Sequence, residues 1–170
     1  GMSGYDEEKS LFDLTPEGIN GVFNLNFTGT LLTTQVFAPD LIEKKDGVII
    51  NISSMNALRP LTKIPAYSAA KAAVGNLTQW LAVYFAKSGV RVNAIAPGFF
   101  VTEQNRPLLL NEDGSLTPRA EKILAATPYG RFGEPEELIG TLLFLADKAS
   151  SGFITGITIP VDGGFSSYAI

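Results

Sequence analysis

Tyr67 and Lys71 stand four residues apart in the stretch YSAAK, at the start of a long apolar segment. Residues four apart share one face of a helix, so the lysine projects beside the phenol. An ammonium near a phenol favours the phenolate and lowers the tyrosine pKa, which turns a weak acid into a usable general acid/base. Ser54 precedes Tyr67 by thirteen residues, at the end of the β-branched run VIINIS. In open α/β sheets the ligand crevice lies outside the carboxyl ends of the strands, where a hydroxyl can bond a substrate oxygen while Tyr67 moves the proton. Asn26, in NLNFTG, puts an amide inside an apolar helix; facing inward it could hold a water that links Lys71 to solvent. Each has a plainer alternative. The Tyr–Lys pair arises by chance in many sequences, the serines can cap the turn that leaves a strand, and the asparagine can bond its own helix backbone.

Composition narrows the chemistry. Among the 170 residues there is neither cysteine nor histidine. That excludes disulfides, thiolate nucleophiles, Ser-His-Asp triads and the common His- or Cys-ligated metal sites, so no metal is expected. The net charge is −4 with no basic stripe, which argues against nucleic acid. No apolar run reaches membrane length and no signal peptide is evident, so no membrane partner and a cytoplasmic address are expected. Gly1 to Gly4 read as the remnant of a tag.

The elements that must position these residues follow from periodicity. Thr15 before Pro16 marks a helix start, and apolar residues from Ile19 onward recur at helical spacing to about Leu41. Residues 5–14 read as a polar loop. GVIINIS reads as a strand covered on both faces. A long helix over 66–89, a second buried strand VRVNAIAPG and a long irregular segment over 99–118 come next. Two helices, over 118–126 and 134–150, and a last strand within GFITGITIPVDGG complete the order. Alternation of this kind predicts an α/β fold with right-handed crossovers onto a parallel sheet. Pro97-Gly98 reads as a turn pair.

Together NISS, YSAAK, VRVNAIAPGFFVT, GRFGEPEEL and ITGITIPVDGG, in this order and spacing, resemble the short-chain dehydrogenase/reductase family from about residue 15 onward. The resemblance implies a Rossmann-like doubly wound parallel sheet. The chain is expected to hold its later half, about three strands with flanking helices, as a single domain over 1–170. It implies an NAD- or NADP-dependent interconversion of a carbonyl and an alcohol. Tyr67 would be the general acid/base, Lys71 would lower its pKa and bond the nicotinamide ribose beside it, Ser54 would orient the substrate oxygen, and Asn26 would complete a proton relay. Pro97, Gly98, Phe100 and Thr102 would border the nicotinamide, with Thr102 and nearby amides bonding its carboxamide or the pyrophosphate. Asp162-Gly163-Gly164 would be structural.

The family's glycine-rich phosphate loop, TGxxxGxG, is absent from the sequence. The expectation is a C-terminal catalytic part with little or no activity by itself. The first strand would then lack a neighbour on one side. Within the family, NISSMNALRPLTKIPAYSAAKAA and NAIAPGFFVTEQN are most like enzymes that interconvert D-mannonate and D-fructuronate, which implies a sugar-acid substrate. Its carboxylate needs a cation, and Arg59, Lys63 and Arg106 are the candidates; for each the alternative is a solvated surface charge. Helices apolar nearly all round predict a homodimer or homotetramer. Two other functions fit the sequence, a 3-oxoacyl-carrier-protein or other reductase of the same family, and a truncated non-catalytic interaction module.

Overall fold

A computed structural model of the chain describes residues 10–103 and 105–169. The tag-like stretch Gly1 to Gly4 lies outside the described residues. The predicted loop ends differently from expectation, because Ser10 and Asp13 cap each other's backbone and wind Leu11–Asp13 into one 3-10 turn.

The Thr15 side chain accepts from the Gly18 amide at 3.1 Å, with Pro16 at the first helical position, so the first helix starts where the sequence predicts. Helix α1 (Pro16–Phe23) passes through a wide turn, Asn24–Thr28, into α2 (Gly29–Lys44). In that turn the Gly29 amide bonds the Asn24 carbonyl, five residues back, which is π-helical geometry. The predicted single helix is therefore present, widened around Asn26 and ended by Lys45 in the left-handed conformation.

Strands β1 (Gly47–Ile52), β2 (Val90–Pro97) and β3 (Thr158–Val161) form a parallel sheet in the order β1-β2-β3. The register aligns Gly47 with Val90 and Ala94 with Thr158. The crossover from β1 to β2 is helix α3 (Pro65–Phe85), which ends in a 3-10 turn closed by Gly89 at φ 74. A Cβ at Gly89 would lie 2.7 Å from the Lys45 carbonyl oxygen, so this turn takes only glycine. Between β2 and β3 run α4 (Arg106–Leu109), α5 (Pro118–Ala125), α6 (Glu137–Ala146) and α7 (Lys148–Ser151). The segment expected to be irregular thus contains α4 and a bridge between Leu110 and Leu116. The helix predicted over 134–150 divides at Asp147, whose extended backbone ends α6 and whose carboxylate caps the amides of Ala149 and Ser150.

Alternation along β2 puts helices on both faces of the sheet. Val90 and Val92 pack with Leu77, Leu81 and Phe85 of α3 and Ala38 of α2. Between them Arg91 points the other way, where Nη1 donates to the Leu145 carbonyl at 2.9 Å and the Ser151 hydroxyl at 3.1 Å, satisfying the end of α6. This is the doubly wound arrangement expected. Burial differs between the two strands read as fully covered. β2 is buried along most of its length, whereas β1 is mostly half-buried and its Ile52 is 53% exposed. β1 has β2 on one side and, among the described residues, no strand on the other, so the groove between it and α2 stays open.

α3 is fixed over β1 by polar contacts as well as packing. Asn51 Nδ2 donates to Thr78 Oγ1 at 2.9 Å, and that hydroxyl donates to the Val74 carbonyl. The outer faces of the long helices are uncovered: Trp80 and Tyr84 stack on each other at 5.0 Å and are exposed with Val83, as are Leu32, Val36 and Phe37. No described helix is long and apolar enough to cross a membrane.

Candidate active site at the carboxyl ends of the strands

The chain leaves β1 through Ser53 and Ser54, both buried. Ser53 donates through its amide to the Ile95 carbonyl and through its hydroxyl to the Lys71 carbonyl at 3.1 Å. Lys71 reciprocates, since its Nζ donates to the Ile52 carbonyl at 2.8 Å. Two bonds thus tie the end of β1 to the second turn of α3. Ser54 caps the 3-10 turn Met55–Ala57, its hydroxyl accepting from the Asn56 amide at 3.2 Å. The plain capping reading of Ser54 is therefore correct, and it does not exclude the other, because an accepting hydroxyl keeps its proton for donation.

A side-chain hydrogen bond links Ser54 to Tyr67. Burial raises the Tyr67 pKa above its ordinary value of 10.0, and the side-chain hydrogen bond with Ser54 works the other way. The Tyr67 ring packs with Ile19 and Phe23 of α1 around buried Val22, Ala66 and Ala70, which fixes its direction. Lys71 Nζ lies 5.8 Å from the ring centroid, over its face. Ser54, Tyr67 and Lys71 are thus brought together as the sequence predicts. The expected lowering of the Tyr67 pKa by Lys71 is corrected. Desolvation by burial, the largest effect, pushes the phenol up, and only the Ser54 hydrogen bond works against it. The same burial pushes the Lys71 pKa below its ordinary value.

Asn26 faces the groove that Lys71 and Ile52 also line. Its Nδ2 donates to the Val22 carbonyl at 2.9 Å, and its carbonyl accepts from Thr30 Oγ1 at 2.8 Å. The side-chain amide is thus engaged with its own helix, the plainer of the two readings. Beside the cluster, Asn56 Oδ1 and Ser68 Oγ are buried and have no hydrogen-bond partner among the described residues. Sequence reasoning missed both, because an asparagine after a strand reads as a turn residue and a serine in a helix as filler.

Past β2, Pro97 pairs with Val161 and the Gly98 amide bonds the Val161 carbonyl. A Cβ at Gly98 would lie 2.6 Å from the Asp162 Cα, so the Pro97-Gly98 turn is glycine-bound by its approach to the Asp162 turn. Gly98→Ala is expected to cost about 1–3 kcal/mol through this overpacking, checked by the shift in urea midpoint. Phe100 lies on Gly133, to which it is bridged. The Thr102 amide donates to Asn105 Oδ1 at 2.8 Å, and Asn105 Nδ2 donates to the Phe100 carbonyl. That amide is therefore committed within its own loop and is not free for a cofactor; the Thr102 side remains exposed. Arg131 grips Glu137 with two bonds of 2.8 and 2.7 Å and holds its carboxyl down to about 2.

The proposed carboxylate-binding cations are not gathered. Arg59 is exposed on the turn after Ser54. Lys63 lines a cleft with Arg119 and Lys122, two cations the sequence reading passed over. Arg106 lines a different hollow, with Asn111 and Glu112. No group of acids able to hold a metal occurs among the described residues.

The geometry fits a nicotinamide ribose, because Lys71 uses one of three ammonium hydrogens on Ile52 and two remain. Known proteins resemble the chain over most of its length. A family profile described as enoyl-(acyl carrier protein) reductase matches residues 1–166. An uncharacterized oxidoreductase of Bacillus subtilis is 58% identical over 163 residues, which cover 96% of this chain and 59% of that protein. A solved structure from Haemophilus influenza with bound NAD, named provisionally as a D-mannonate oxidoreductase, is 61% identical with a TM-score of 0.90 over 97% of this chain and 59% of the other. A gluconate 5-dehydrogenase from Burkholderia cenocepacia, in complex with NADP and tartrate, is 34% identical with a TM-score of 0.85 over 95% of this chain and 61% of the other. The chain thus spans a little over half the length of the relatives it matches. With the parallel sheet, the Ser54–Tyr67–Lys71 cluster and these likenesses in agreement, the chain belongs to the short-chain dehydrogenase/reductase family.

Proposed function

We propose that the site serves an NAD- or NADP-dependent oxidoreductase that interconverts an alcohol and a carbonyl on a sugar acid, of the D-mannonate/D-fructuronate kind. The observation that carries this is the Ser54 hydroxyl bonded to the Tyr67 phenol, with Lys71 over the same ring at 5.8 Å. When bound, the nicotinamide supplies or accepts the hydride. The chain's own residues handle the proton. Tyr67 gives its phenolic hydrogen to the carbonyl oxygen during reduction and takes it back during oxidation. Ser54 bonds the same substrate oxygen and aims it at the phenol. Lys71, anchored on Ile52, offers its remaining hydrogens to the ribose and places positive charge beside the phenolate that forms. Pro97 and Gly98 border the nicotinamide. Asn26, which lines the same groove as Lys71, completes a proton relay to solvent.

Support for a sugar acid comes from the relatives: one is named for D-mannonate and another holds tartrate, a hydroxy acid. Self-association through Trp80, Val83 and Tyr84 is part of the same proposal, because those faces are open. Reduction of a carrier-linked 3-oxoacyl group is the second reading, supported by a relative from Synechocystis named 3-oxoacyl-[acyl-carrier-protein] reductase, 38% identical over 162 residues.

The test follows reduced nicotinamide by absorbance, at millimolar cofactor because the sequence has no TGxxxGxG stretch, with NAD or NADP for the alcohols and NADH or NADPH for the thioester. The panel is D-mannonate, D-gluconate, D-mannitol and a 3-oxoacyl thioester. Slow turnover, in keeping with the little activity expected of the chain by itself, is expected with the sugar acids. Turnover confined to the thioester moves the assignment to the second reading, and no turnover with any member sinks both.

A further inference from the structure

We infer that the cleft between residues 61–64 and helix α5 is a carboxylate seat for the substrate, with Arg119 and Lys122 as its principal cations and Lys63 opposite them. The inference deepens the sugar-acid reading and rests on it. The cleft encloses about 410 Å³, within the usual range for small-molecule sites. Its floor is apolar, from Ile64, Ile123 and Phe165, and its rim carries Lys63, Arg119 and Lys122.

Three features distinguish this rim from ordinary solvated charge. The chain as a whole carries −4, yet no Asp or Glu among the described residues lines the cleft. None of the three cations forms an ion pair among the described residues, whereas Arg131 and Lys148 do. Three like charges around one concavity repel one another and lower the cost of admitting an anion.

Two contacts lead from the cleft toward the neighbours of the reaction centre. Ile64 is the residue before α3, and its carbonyl accepts from the Ser68 amide, next to Tyr67. Phe165 packs edge-on against Phe99 at 5.4 Å, and Phe99 follows Gly98. A six-carbon chain with its carboxylate among the cations can therefore extend along Ile64 toward the Ser54–Tyr67 pair. Arg119 and Lys122 lie three apart on α5, so they share one face of that helix and approach one anion together. A guanidinium gives such a site its planar two-point grip, and the ammonium adds a point charge.

The test titrates the whole chain with D-mannonate and with D-mannitol, which has the polyol but no carboxylate, by calorimetry at low salt. It is repeated on Arg119→Gln/Lys122→Gln and on Tyr67→Phe. The wild-type chain is expected to bind D-mannonate about ten- to a hundredfold more tightly than D-mannitol. The double variant should lose that preference and Tyr67→Phe should keep it. Equal binding of the two ligands by the wild type, or a preference that survives in the double variant, overturns the inference. Both cationic positions are solvent-facing, so a circular dichroism spectrum checks that the variant is folded. A single Lys63→Gln change, which leaves α5 intact, should weaken the preference in the same direction.

Turnover separates this failure from failure of the function. Sugar-acid turnover with a KM unchanged in the double variant refutes the cleft and leaves the reaction standing. Carboxylate-selective binding lost in the double variant, with no turnover of sugar acids by the wild type, supports the cleft and refutes the reaction. A KM raised for a carrier-linked substrate alone assigns the cations to an acidic protein surface and also refutes the carboxylate seat.

Discussion

Replacing Tyr67 with phenylalanine is expected to lower kcat by roughly 10²–10⁴-fold, the usual range for loss of a positioned general acid/base. The ring and its packing against Ile19 and Phe23 survive in the variant, so the loss belongs to one hydroxyl. KM should change little, because the phenol is asked to move a proton in the transition state and not to hold the ground state. The pH profile sharpens the test. Burial raises the Tyr67 pKa above 10.0, so the phenol is protonated at neutral pH and ready to reduce a carbonyl. Alcohol oxidation needs the phenolate, so its rate should climb with pH toward that raised value, and the climb should vanish in Tyr67→Phe. Wild-type-like turnover in the variant would remove Tyr67 from the chemistry. For stability the sign is also fixed. The folded state holds this proton more tightly than the unfolded chain does. Its contribution is whole below about 10 and is lost as pH rises through the folded value.

Asn93→Leu is expected to cost about 1–3 kcal/mol of stability, from two lost hydrogen bonds at about 0.5–1.5 kcal/mol each. Asn93 is fully buried in β2. Its Nδ2 donates to the Ile154 carbonyl at 3.0 Å and its Oδ1 accepts from the Ile157 amide at 3.2 Å. The neighbours on the strand hold the same segment: the Gly156 amide bonds the Val92 carbonyl at 2.7 Å, and the Ala94 amide bonds the Ile157 carbonyl at 2.8 Å. Leucine matches the size but offers neither bond. Losses of that magnitude are a large share of the 5–15 kcal/mol that a domain ordinarily has. A urea titration measures it. Asn93→Asp, which keeps the acceptor and loses the donor, should unfold at an intermediate midpoint. A shift under about 0.5 kcal/mol for the leucine variant would mean that the segment is held without Asn93.

Much of this was legible because it is local. β2 reads as a buried strand from VRVNAIAP, α3 reads from its apolar spacing and its Pro65 start, and Thr15-Pro16 announces α1 without ambiguity. The Ser54, Tyr67 and Lys71 positions follow from one strand end and one helical turn. What escaped depends on contacts between distant segments or on a one-residue change in winding. The wide turn at Asn24–Thr28 leaves no mark in a hydrophobic pattern that tolerates either winding. Asp147 reads as one more acid in a helix until its carboxylate is seen to cap the next one. β1 and β2 have similar β-branched sequences, and their unequal burial comes from sheet order alone. Arg119 and Lys122 look like solvated helix charges, and only the fold brings Lys63 and Phe165 to them. The direction of the Tyr67 pKa was missed for a related reason: spacing gives proximity to Lys71, but it does not give the burial of the phenol against α1 that raises it.

That lysine has a thermodynamic consequence. A free lysine side chain surrenders about 2 kcal/mol of rotamer entropy when it is immobilised. Here the bond from Nζ to Ile52 restrains the four-carbon stem as part of folding. A molecule that takes the two remaining hydrogens meets an arm already in place, so little of its affinity is consumed in ordering it.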